Sequence, residues 1–272
     1  MSKNPIEKLS GLVVITGASS GIGLELAKLA AADGCDLVLA ADTDLSEAES
    51  AARAAGAASV ETVQGDLATR DGIQALMQAI ADRPIDALMA NAGHGQGHAF
   101  LDQEWSEIAH VIHTNITGTV ALIHMVGQKM RARNSGRILV TGSIAGHMPG
   151  TFQLVYNSTK SFIDDFCIGL ANELKETEVV ITCLMPGVTD TEFFERADML
   201  DTQAGQQAEQ GKGADPAKVA KDGYDALLDG DTRITSGFMN KVQKVLGDIL
   251  PEEVAAQMHR RMAEPGGAKS ST

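Results

Sequence analysis

The sequence predicts an α/β protein with a doubly wound parallel sheet, because buried-strand and amphipathic-helix patterns alternate along most of the chain. Short apolar runs have the continuous hydrophobicity of strands that are covered on both faces. These runs are Leu12–Thr16, Asp36–Ala41, Ser59–Gln64, Ala87–Ala90, Arg137–Thr141 and Val179–Met185. Between them, apolar residues such as Ile22, Leu26 and Leu29 recur at helical spacing. Right-handed crossovers then place helices on both faces of a Rossmann-like sheet.

The length and charge of the chain limit its organisation and its partners. With 272 residues it fits a single large domain over 1–272. A net charge of −14 argues against nucleic acid and against an anionic membrane as partners. Residues 1–9 lack the apolar core of a signal peptide, and no apolar run approaches the roughly 18 residues of a membrane span. We therefore expect a cytoplasmic protein.

Beyond the strands, the pattern changes. Residues 192–215 are polar and rich in glutamine and glycine, which predicts either a functional lid or disorder. Helical patterns cover Ala217–Leu228 and Lys241–Met262, with Pro251 at the start of the last helix. The expected segments are a cofactor-binding and catalytic core (9–191), a substrate lid (192–215), a C-terminal helical extension (216–264) and a frayed tail (265–272).

A glycine-rich loop follows the first strand. Gly17, Gly21 and Gly23 lie between Thr16 and the first helical pattern. Glycines allow a tight turn and a close approach of the backbone, and the N-terminus of the helix favours an anion. At the first strand of such a sheet, this combination predicts a dinucleotide site. The alternative is a purely structural turn between strand and helix.

A tyrosine and a lysine four residues apart form a candidate catalytic pair. Tyr156 and Lys160 share one helix face. An ammonium group about 4 Å away, at an effective dielectric constant of about 20, favours a phenolate by about 4 kcal/mol. We therefore expect a lowered pKa that lets Tyr156 act as a general acid and base. Ser143 ends the fifth strand, where the crevice of such a sheet lies. Taken alone, the pair is also compatible with a surface helix.

From about Leu9 to Thr191, these motifs together resemble the short-chain dehydrogenase/reductase family, in its short single-domain branch. Asn115 matches that family's asparagine at a helix bend, which is associated with a water that links the lysine to solvent. The resemblance implies a catalytic tetrad of Asn115, Ser143, Tyr156 and Lys160, in which Lys160 also binds the nicotinamide ribose. It further implies a nicotinamide cofactor and a small alcohol or carbonyl substrate.

The resemblance also implies a set of cofactor contacts in the loops that follow successive strands. Asp66 and Leu67 match the family's adenine-side position, and the segment after the sixth strand matches the part that borders the nicotinamide. The expected contacts are Gly17, Ser19, Ser20, Gly21, Ile22, Gly23, Asp42, Asp66, Leu67, Asn91, Ala92, Gly93, Tyr156, Lys160, Pro186, Gly187, Val188, Thr189 and Thr191.

The residues after the second strand favour NAD, with NADP as the alternative cofactor. The family's NAD-selecting aspartate would fall at Ala41, and this chain instead has Asp42 and Asp44. No arginine or lysine occurs between Asp33 and Arg53, so a 2′-phosphate would meet negative charge without a neighbouring cation. Alternatively, the two aspartates only cap the next helix.

The expected function is NAD(P)-dependent interconversion of a secondary alcohol and a ketone or aldehyde. One alternative is a non-catalytic dinucleotide-binding protein, such as a redox sensor or a regulatory protein. Another is a sugar-nucleotide epimerase or dehydratase. We expect no metal at His94 and His98, and family members suggest a homodimer or homotetramer. We also hypothesise that apolar residues of the lid close over an apolar substrate; they are Phe193, Phe194, Met199 and Leu200.

Overall fold

Seven parallel strands form one sheet in the computed structural model, which describes residues 3–267 except the side chains of residues 238, 239, 243, 244, 246 and 248. The strands are β1 (Leu12–Thr16), β2 (Asp36–Ala41), β3 (Ser59–Gln64), β4 (Ile85–Ala90), β5 (Gly136–Thr141), β6 (Val179–Met185) and β7 (Arg233–Thr235). Their order is β3-β2-β1-β4-β5-β6-β7. The direction of winding reverses between β1 and β4, and that is where a doubly wound sheet opens a crevice at the carboxyl ends of its strands.

The predicted fold class is confirmed, with one strand missed and two starts misplaced. β4 begins at Ile85 and β5 at Gly136, slightly before the predicted starts. The sequence analysis did not predict β7, because three residues carry no measurable alternation. Its backbone becomes a strand through pairing with β6, where Leu184 lies opposite Ile234.

Helices cover both faces of the sheet. They are α1 (Gly21–Ala32), α2 (Ser46–Ala55), α3 (Arg70–Ile80), α4 (Trp105–Ile112), α5 (Thr119–Ala132), α6 (Leu154–Glu173), α7 (Phe193–Arg196), α8 (Gln203–Glu209), α9 (Pro216–Asp229), α10 (Phe238–Ile249) and α11 (Glu252–Ala263). Leu26 of α1 and Leu227 of α9 belong to the apolar core on one face. Leu76 of α3 and Ile163 of α6 belong to the core on the other face. Among the helices of residues 3–267, none is both long and apolar enough to cross a membrane.

The C-terminal helices agree with the sequence pattern. α9 begins one residue before the predicted start, and the Asp215 carboxylate accepts the Ala217 N–H at 2.9 Å. The predicted helical stretch after Lys241 consists of α10 and α11, and α11 directly follows Pro251. Pro251 is the N-cap residue of α11, with φ −53° and ψ 139°, so the helix begins at the residue after it.

The polar segment 192–215 is ordered and includes α7 and α8. Its few apolar side chains are the reason, since Phe194 and Met199 are buried in a third apolar cluster that includes Ala263 of α11. Of the predicted frayed tail, residues 265–267 form a turn in which the Gly266 N–H donates to the Asp201 carboxylate at 2.7 Å. Residues 268–272 lie outside the described residues.

Candidate active site

The carboxyl ends of the central strands border a cavity of about 220 Å³. We call its two sides the loop wall, formed by the loops after β1, β4, β5 and β6 together with the start of α6, and the helix wall, formed by α7, α8 and α11. The predicted site residues in the loop wall are Gly17, Ser19, Ser20, Gly21, Ile22, Asn91, Ala92, Gly93, Ser143, Tyr156, Lys160, Pro186, Gly187, Val188, Thr189 and Thr191. Gly23, Asp42, Asp66, Leu67 and Asn115 do not line this cavity.

The glycine loop after β1 is shaped by close backbone packing. Gly17 has φ +62°, and a Cβ there would lie 2.9 Å from the Ala92 Cα. A Cβ on Gly23 would collide with the Gly17 carbonyl oxygen. Gly23 therefore supports the loop from beneath, whereas Ser20, Gly21 and Ile22 at the start of α1 face the cavity.

Asn91 joins the ends of three strands. Its side-chain amide donates to the carbonyl oxygens of Thr16 and Gly17, both at 3.2 Å, and its amide oxygen accepts the Thr141 hydroxyl at 2.9 Å. The Thr16 hydroxyl in turn accepts the N–H groups of Asn91 and Ala92 at 3.1 and 3.0 Å. These bonds hold the loops after β1, β4 and β5 in one rigid frame.

Tyr156 lies in the first turn of α6, next to Ser143 at the end of β5. Its side chain is buried, which raises the pKa of the phenol to about 12, and a hydrogen bond with the Ser143 hydroxyl opposes this rise. The Lys160 ammonium lies 5.7 Å from the centre of the Tyr156 ring. The expected lowering of the Tyr156 pKa is therefore wrong for this structure, because the loss of water around the phenolate dominates.

Lys160 is held beneath the phenol by the β5 backbone. Its ammonium donates to the Thr141 carbonyl at 2.8 Å, and burial lowers the lysine pKa to about 8, opposed by the charge of Asp164. Asp164 is buried one turn further along α6, where it accepts the Cys183 thiol at 3.1 Å and lies 3.4 Å from the His147 ring. The sequence analysis missed Asp164, although its spacing from Tyr156 and Lys160 puts all three on one helix face.

Asn115 positions other residues and does not border the cavity itself. It lies in a π-helical segment, His113–Gly118, between α4 and α5. Its amide donates to the His94 carbonyl at 2.9 Å and to the Thr159 hydroxyl at 3.0 Å, and its oxygen accepts the His94 N–H at 2.8 Å. Asn115 thus links the loop after β4 to the helix of Tyr156 and Lys160.

The two acidic positions after β2 and β3 have cationic or imidazole partners. Asp42 forms an ion pair with Arg196 of α7 at 2.5 Å, and Asp66 lies 3.3 Å from the His110 ring. The inference that no cation lies near Asp42 is therefore wrong. Arg196 follows Asp42 by 154 residues, so no local pattern could reveal it. Leu67 belongs to the apolar core and does not line the cavity.

One of these aspartates reaches the start of α2, although the N-cap residue of that helix is Leu45. The Asp44 carboxylate accepts the Ser46 N–H at 3.2 Å, at the start of α2. Among the described residues, no group of three or more His, Cys, Asp or Glu side chains is arranged to hold a metal ion.

The segment 192–215 packs on the glycine-rich loop after β4. A Cβ on Gly95 would overlap the Phe193 ring, and one on Gly97 would lie 2.6 Å from the Met199 Cγ. The Gly97 N–H donates to the Ala197 carbonyl at 2.9 Å. Small residues in this loop therefore let α7 approach closely, and the Phe193 ring centre comes within 5.0 Å of that of Tyr156.

Two of the four hypothesised lid residues face the cavity. Phe193 and Phe194 line it, whereas Met199 is fully buried in the apolar cluster with α11 and Leu200 is partly exposed outside the cavity. The other helix-wall residues that line the cavity are Arg196 of α7, Ala204 of α8, and His259, Met262 and Ala263 of α11. The sequence analysis did not find these α11 residues, because nothing in their spacing relates them to Tyr156.

A doubly wound sheet with a glycine-rich loop at its switch point defines the dinucleotide-binding class of α/β proteins. Residues 11–200 match the model of a family described as short chain dehydrogenase. The chain belongs to the short-chain dehydrogenase/reductase family.

Individual relatives agree with this assignment. The human 17-beta-hydroxysteroid dehydrogenase type 1 is 34% identical over 192 residues, which cover 68% of this chain and 58% of that enzyme. The chain therefore spans less than two thirds of the length of this relative. A short chain dehydrogenase/reductase from Burkholderia phymatum, solved with NAD, has a TM-score of 0.79 at 24% identity and covers 96% of this chain and 99% of its own. A short-chain dehydrogenase from Sphingobium yanoikuyae, solved with NADPH, has a TM-score of 0.76 at 24% identity and covers 89% and 97%.

Proposed function

We propose that this protein is an NAD(P)-dependent oxidoreductase that interconverts a secondary alcohol and a ketone or aldehyde, with Tyr156 as the general acid and base. The observation that carries the proposal is that Ser143, Tyr156 and Lys160 border the same cavity as the glycine-rich loop after β1. Membership of the short-chain dehydrogenase/reductase family supports the same reaction class.

The loop wall fits a nicotinamide dinucleotide. Glycines leave the backbone of the β1 loop bare at the N-terminus of α1, which suits a pyrophosphate. At Gly93, a Cβ would come within 3.3 Å of the Lys160 ammonium, so a larger residue would crowd the proposed nicotinamide ribose position. The proposed nicotinamide contacts lie in the loop after β6, from Pro186 to Thr191. When bound, the cofactor supplies the hydride acceptor or donor.

The residues of the chain handle the proton and the orientation of the substrate. In oxidation, Tyr156 as phenolate takes the hydroxyl proton of the substrate while the hydride leaves its carbon; in reduction, the Tyr156 phenol returns that proton. Ser143 hydrogen-bonds the substrate oxygen and holds it beside the phenol. Because burial alone raises the Tyr156 pKa, Lys160 must act in its charged form to favour the phenolate.

For the cofactor, NAD stays the favoured choice and NADP the alternative. Asp42 is paired with Arg196, so the ion pair carries little net charge, and Asp44 adds a negative charge close by. The pair weakens the repulsion of a 2′-phosphate relative to an unpaired Asp42. We therefore expect only a modest difference between the affinities for NAD and NADP, since the interaction energy of exposed charges is about 1 kcal/mol or less.

We also propose a division of labour along the chain. Residues 9–191 form the cofactor-binding and catalytic core, 192–215 the substrate lid and 216–264 the C-terminal helices of one domain. A cytoplasmic location is proposed because three buried cysteines without disulfides suit a reducing compartment.

We further propose a homo-oligomer through the face of α4 and α6. Trp105 of α4 is 70% exposed and Phe162 of α6 is 44% exposed, and these two helices pack together, so their exposed apolar side chains suit a partner surface. Light scattering of the wild type and of a Trp105→Glu variant tests this, since the substitution should lower the oligomeric mass. A monomeric wild type contradicts it.

The first experiment is a titration of the purified protein with NADH and with NADPH, followed by nicotinamide fluorescence. Tighter binding of NADH supports the cofactor choice, and tighter binding of NADPH reverses it. A screen of alcohols and ketones then compares the wild type with Tyr156→Phe, which should bind cofactor normally and turn over about 10²–10⁴-fold more slowly. Cofactor binding without turnover of any alcohol or ketone would instead indicate a non-catalytic redox sensor or regulatory protein.

A further inference from the structure

The helix wall is apolar apart from Arg196 of α7 and the buried His259 of α11, and Gln153, in the loop before α6, adds a further buried polar group to the cavity. Phe193, Phe194 and Met262 provide apolar surface. His259 of α11 and Gln153, which directly precedes α6, also line the cavity, and they are only 6% and 7% exposed. Buried polar side chains in an apolar wall are the groups that orient a ligand.

The ring of His259 has a defined tautomer and orientation. Its Nδ1 lies 2.9 Å from the Thr151 carbonyl oxygen, which can only accept a hydrogen bond, so Nδ1 carries the proton. Burial lowers the pKa of His259, so the ring is neutral at pH 7 and its Nε2 has a free electron pair. Within residues 3–267, the ring makes no second hydrogen bond, and Nε2 is therefore an acceptor in need of a donor.

The surroundings of His259 hold the ring in place. The Thr151 hydroxyl donates to the Ala256 carbonyl of α11 at 3.2 Å, and the Arg260 guanidinium lies 5.0 Å from the centre of the Phe152 ring. Both contacts fasten α11 to the loop just before Tyr156. A ring that is already ordered loses little entropy when a ligand binds, which favours a role in recognition.

Gln153 adds a second acceptor. Its amide nitrogen donates to the Met199 sulfur at 2.9 Å. The amide oxygen is not used in that contact, so it remains available as an acceptor. Gln153 also accepts the Asn157 N–H through its backbone carbonyl at 3.0 Å, and this anchors it at the start of α6. Its side chain is thus fixed three residues before Tyr156, in the same cavity.

We propose that His259 and Gln153 form a recognition site for a hydroxyl group of the substrate, separate from the oxygen that Ser143 and Tyr156 hold. The substrate class is then an apolar ketone or alcohol with a second, non-reacting hydroxyl or phenol group. This inference rests on the proposed function and adds a specificity determinant from α11, which lies outside the segment that matches the family.

The energetic consequence is discrimination against substrates without the second hydroxyl. An apolar ligand that covers His259 without donating to it leaves a buried acceptor unsatisfied, which weakens its binding. A ligand with the hydroxyl avoids this cost. The expected preference is therefore about tenfold to a hundredfold in affinity.

The test measures binding, so it does not depend on turnover. Two matched pairs of ketones serve as probes: 4-(4-hydroxyphenyl)butan-2-one with 4-phenylbutan-2-one, and estrone with its 3-deoxy analogue. Calorimetry with the cofactor-saturated protein gives the Kd of each. We expect at least one hydroxylated probe to bind ten times or more tightly than its partner. His259→Leu should remove that difference, and His259→Gln should keep part of it, because its amide oxygen is also an acceptor.

The controls separate this proposal from folding and from the proposed function. His124→Leu on the exposed face of α5 should leave every Kd unchanged, and the melting temperatures show whether the His259 variants fold. The proposal is overturned if neither hydroxylated probe binds more tightly than its partner, including the case that no probe binds, or if the preference survives in a folded His259→Leu protein. The proposed function fails separately, through absence of cofactor binding or of turnover.

Discussion

The loop wall and the helix wall of the cavity are built from the chain in different ways. Each part of the loop wall directly follows a strand or opens α6, so its position is set by the parallel sheet that precedes it. The helix wall combines α7 and α8 with α11, which begins at Glu252, and it exists only because a small apolar cluster joins these helices. The loop wall therefore inherits its geometry from the sheet, whereas the helix wall depends on contacts between distant segments.

The largest expected effect concerns the loop wall. Gly23→Ala would put a Cβ against the Gly17 carbonyl oxygen, so the glycine-rich loop must move. We expect a loss of more than a thousandfold in cofactor affinity, about 4 kcal/mol. Nicotinamide fluorescence gives the Kd. The matched control is Gly169→Ala in α6, where a Cβ would meet open space, and an equal loss there would contradict the argument.

The next effect concerns Lys160, at the centre of the site. Its pKa falls from an ordinary value of 10.5 to about 8 on folding. Below pH 8 the lysine is charged in both the folded and the unfolded protein, so burial of the charge lowers the free energy of unfolding by its full amount. Above pH 10.5 it is neutral in both states, and this loss of stability is absent. Lys160→Met should raise the free energy of unfolding at pH 7 by up to about 3 kcal/mol, with a smaller gain at pH 9.5.

Urea unfolding at the two pH values measures this effect. Lys129→Met, on the exposed side of α5, is the matched control and should show no such gain at either pH. If Lys160→Met raises the free energy of unfolding by the same amount at both pH values, packing rather than charge is responsible. Cofactor affinity and turnover of Lys160→Met should fall even as its stability rises.

A third effect concerns the helix wall. Phe193→Ala removes the ring that packs beside Tyr156 and on Gly95. We expect KM to rise about tenfold, equivalent to about 1.4 kcal/mol of lost apolar contact, with little change in cofactor Kd. Phe162→Ala, which removes an exposed ring stacked on Phe166, should leave KM unchanged. A larger change in the cofactor Kd than in the KM would contradict the assignment of cofactor binding to the loop wall and substrate binding to the helix wall.

The smallest effect concerns the contact between the lid and the end of β2. Asp42→Asn leaves Arg196 without its ion pair, so we expect NADPH to bind about fivefold more tightly relative to NADH, or about 1 kcal/mol. Arg196→Met should shift the same ratio of Kd values in the opposite direction. Lys221→Met, which breaks the exposed pair with Asp225, serves as the control. Unchanged ratios in both test variants would place this ion pair away from the cofactor.

Most of the sheet and most of the loop wall could be predicted because their determinants are local. Buried parallel strands are continuously apolar, and residues that follow them, such as Ser143 and Asn91, must lie at the same edge of the sheet. β7 escaped prediction because pairing with β6, and not its own three residues, makes it a strand. The polar composition of residues 192–215 left order and disorder both open, and the burial of Phe194 and Met199 in a cluster with α11 orders the segment.

The sequence by itself determined the fold class, the glycine-rich loop and the spacing of Tyr156 and Lys160, because each depends on neighbours along the chain. Only the tertiary structure decided that burial raises the Tyr156 pKa, that Arg196 reaches Asp42 and that His259 enters the cavity. The physical reason is that desolvation and ion pairing depend on which groups surround a side chain in space. Packing of helices that are far apart in sequence sets those surroundings, and no spacing pattern records it.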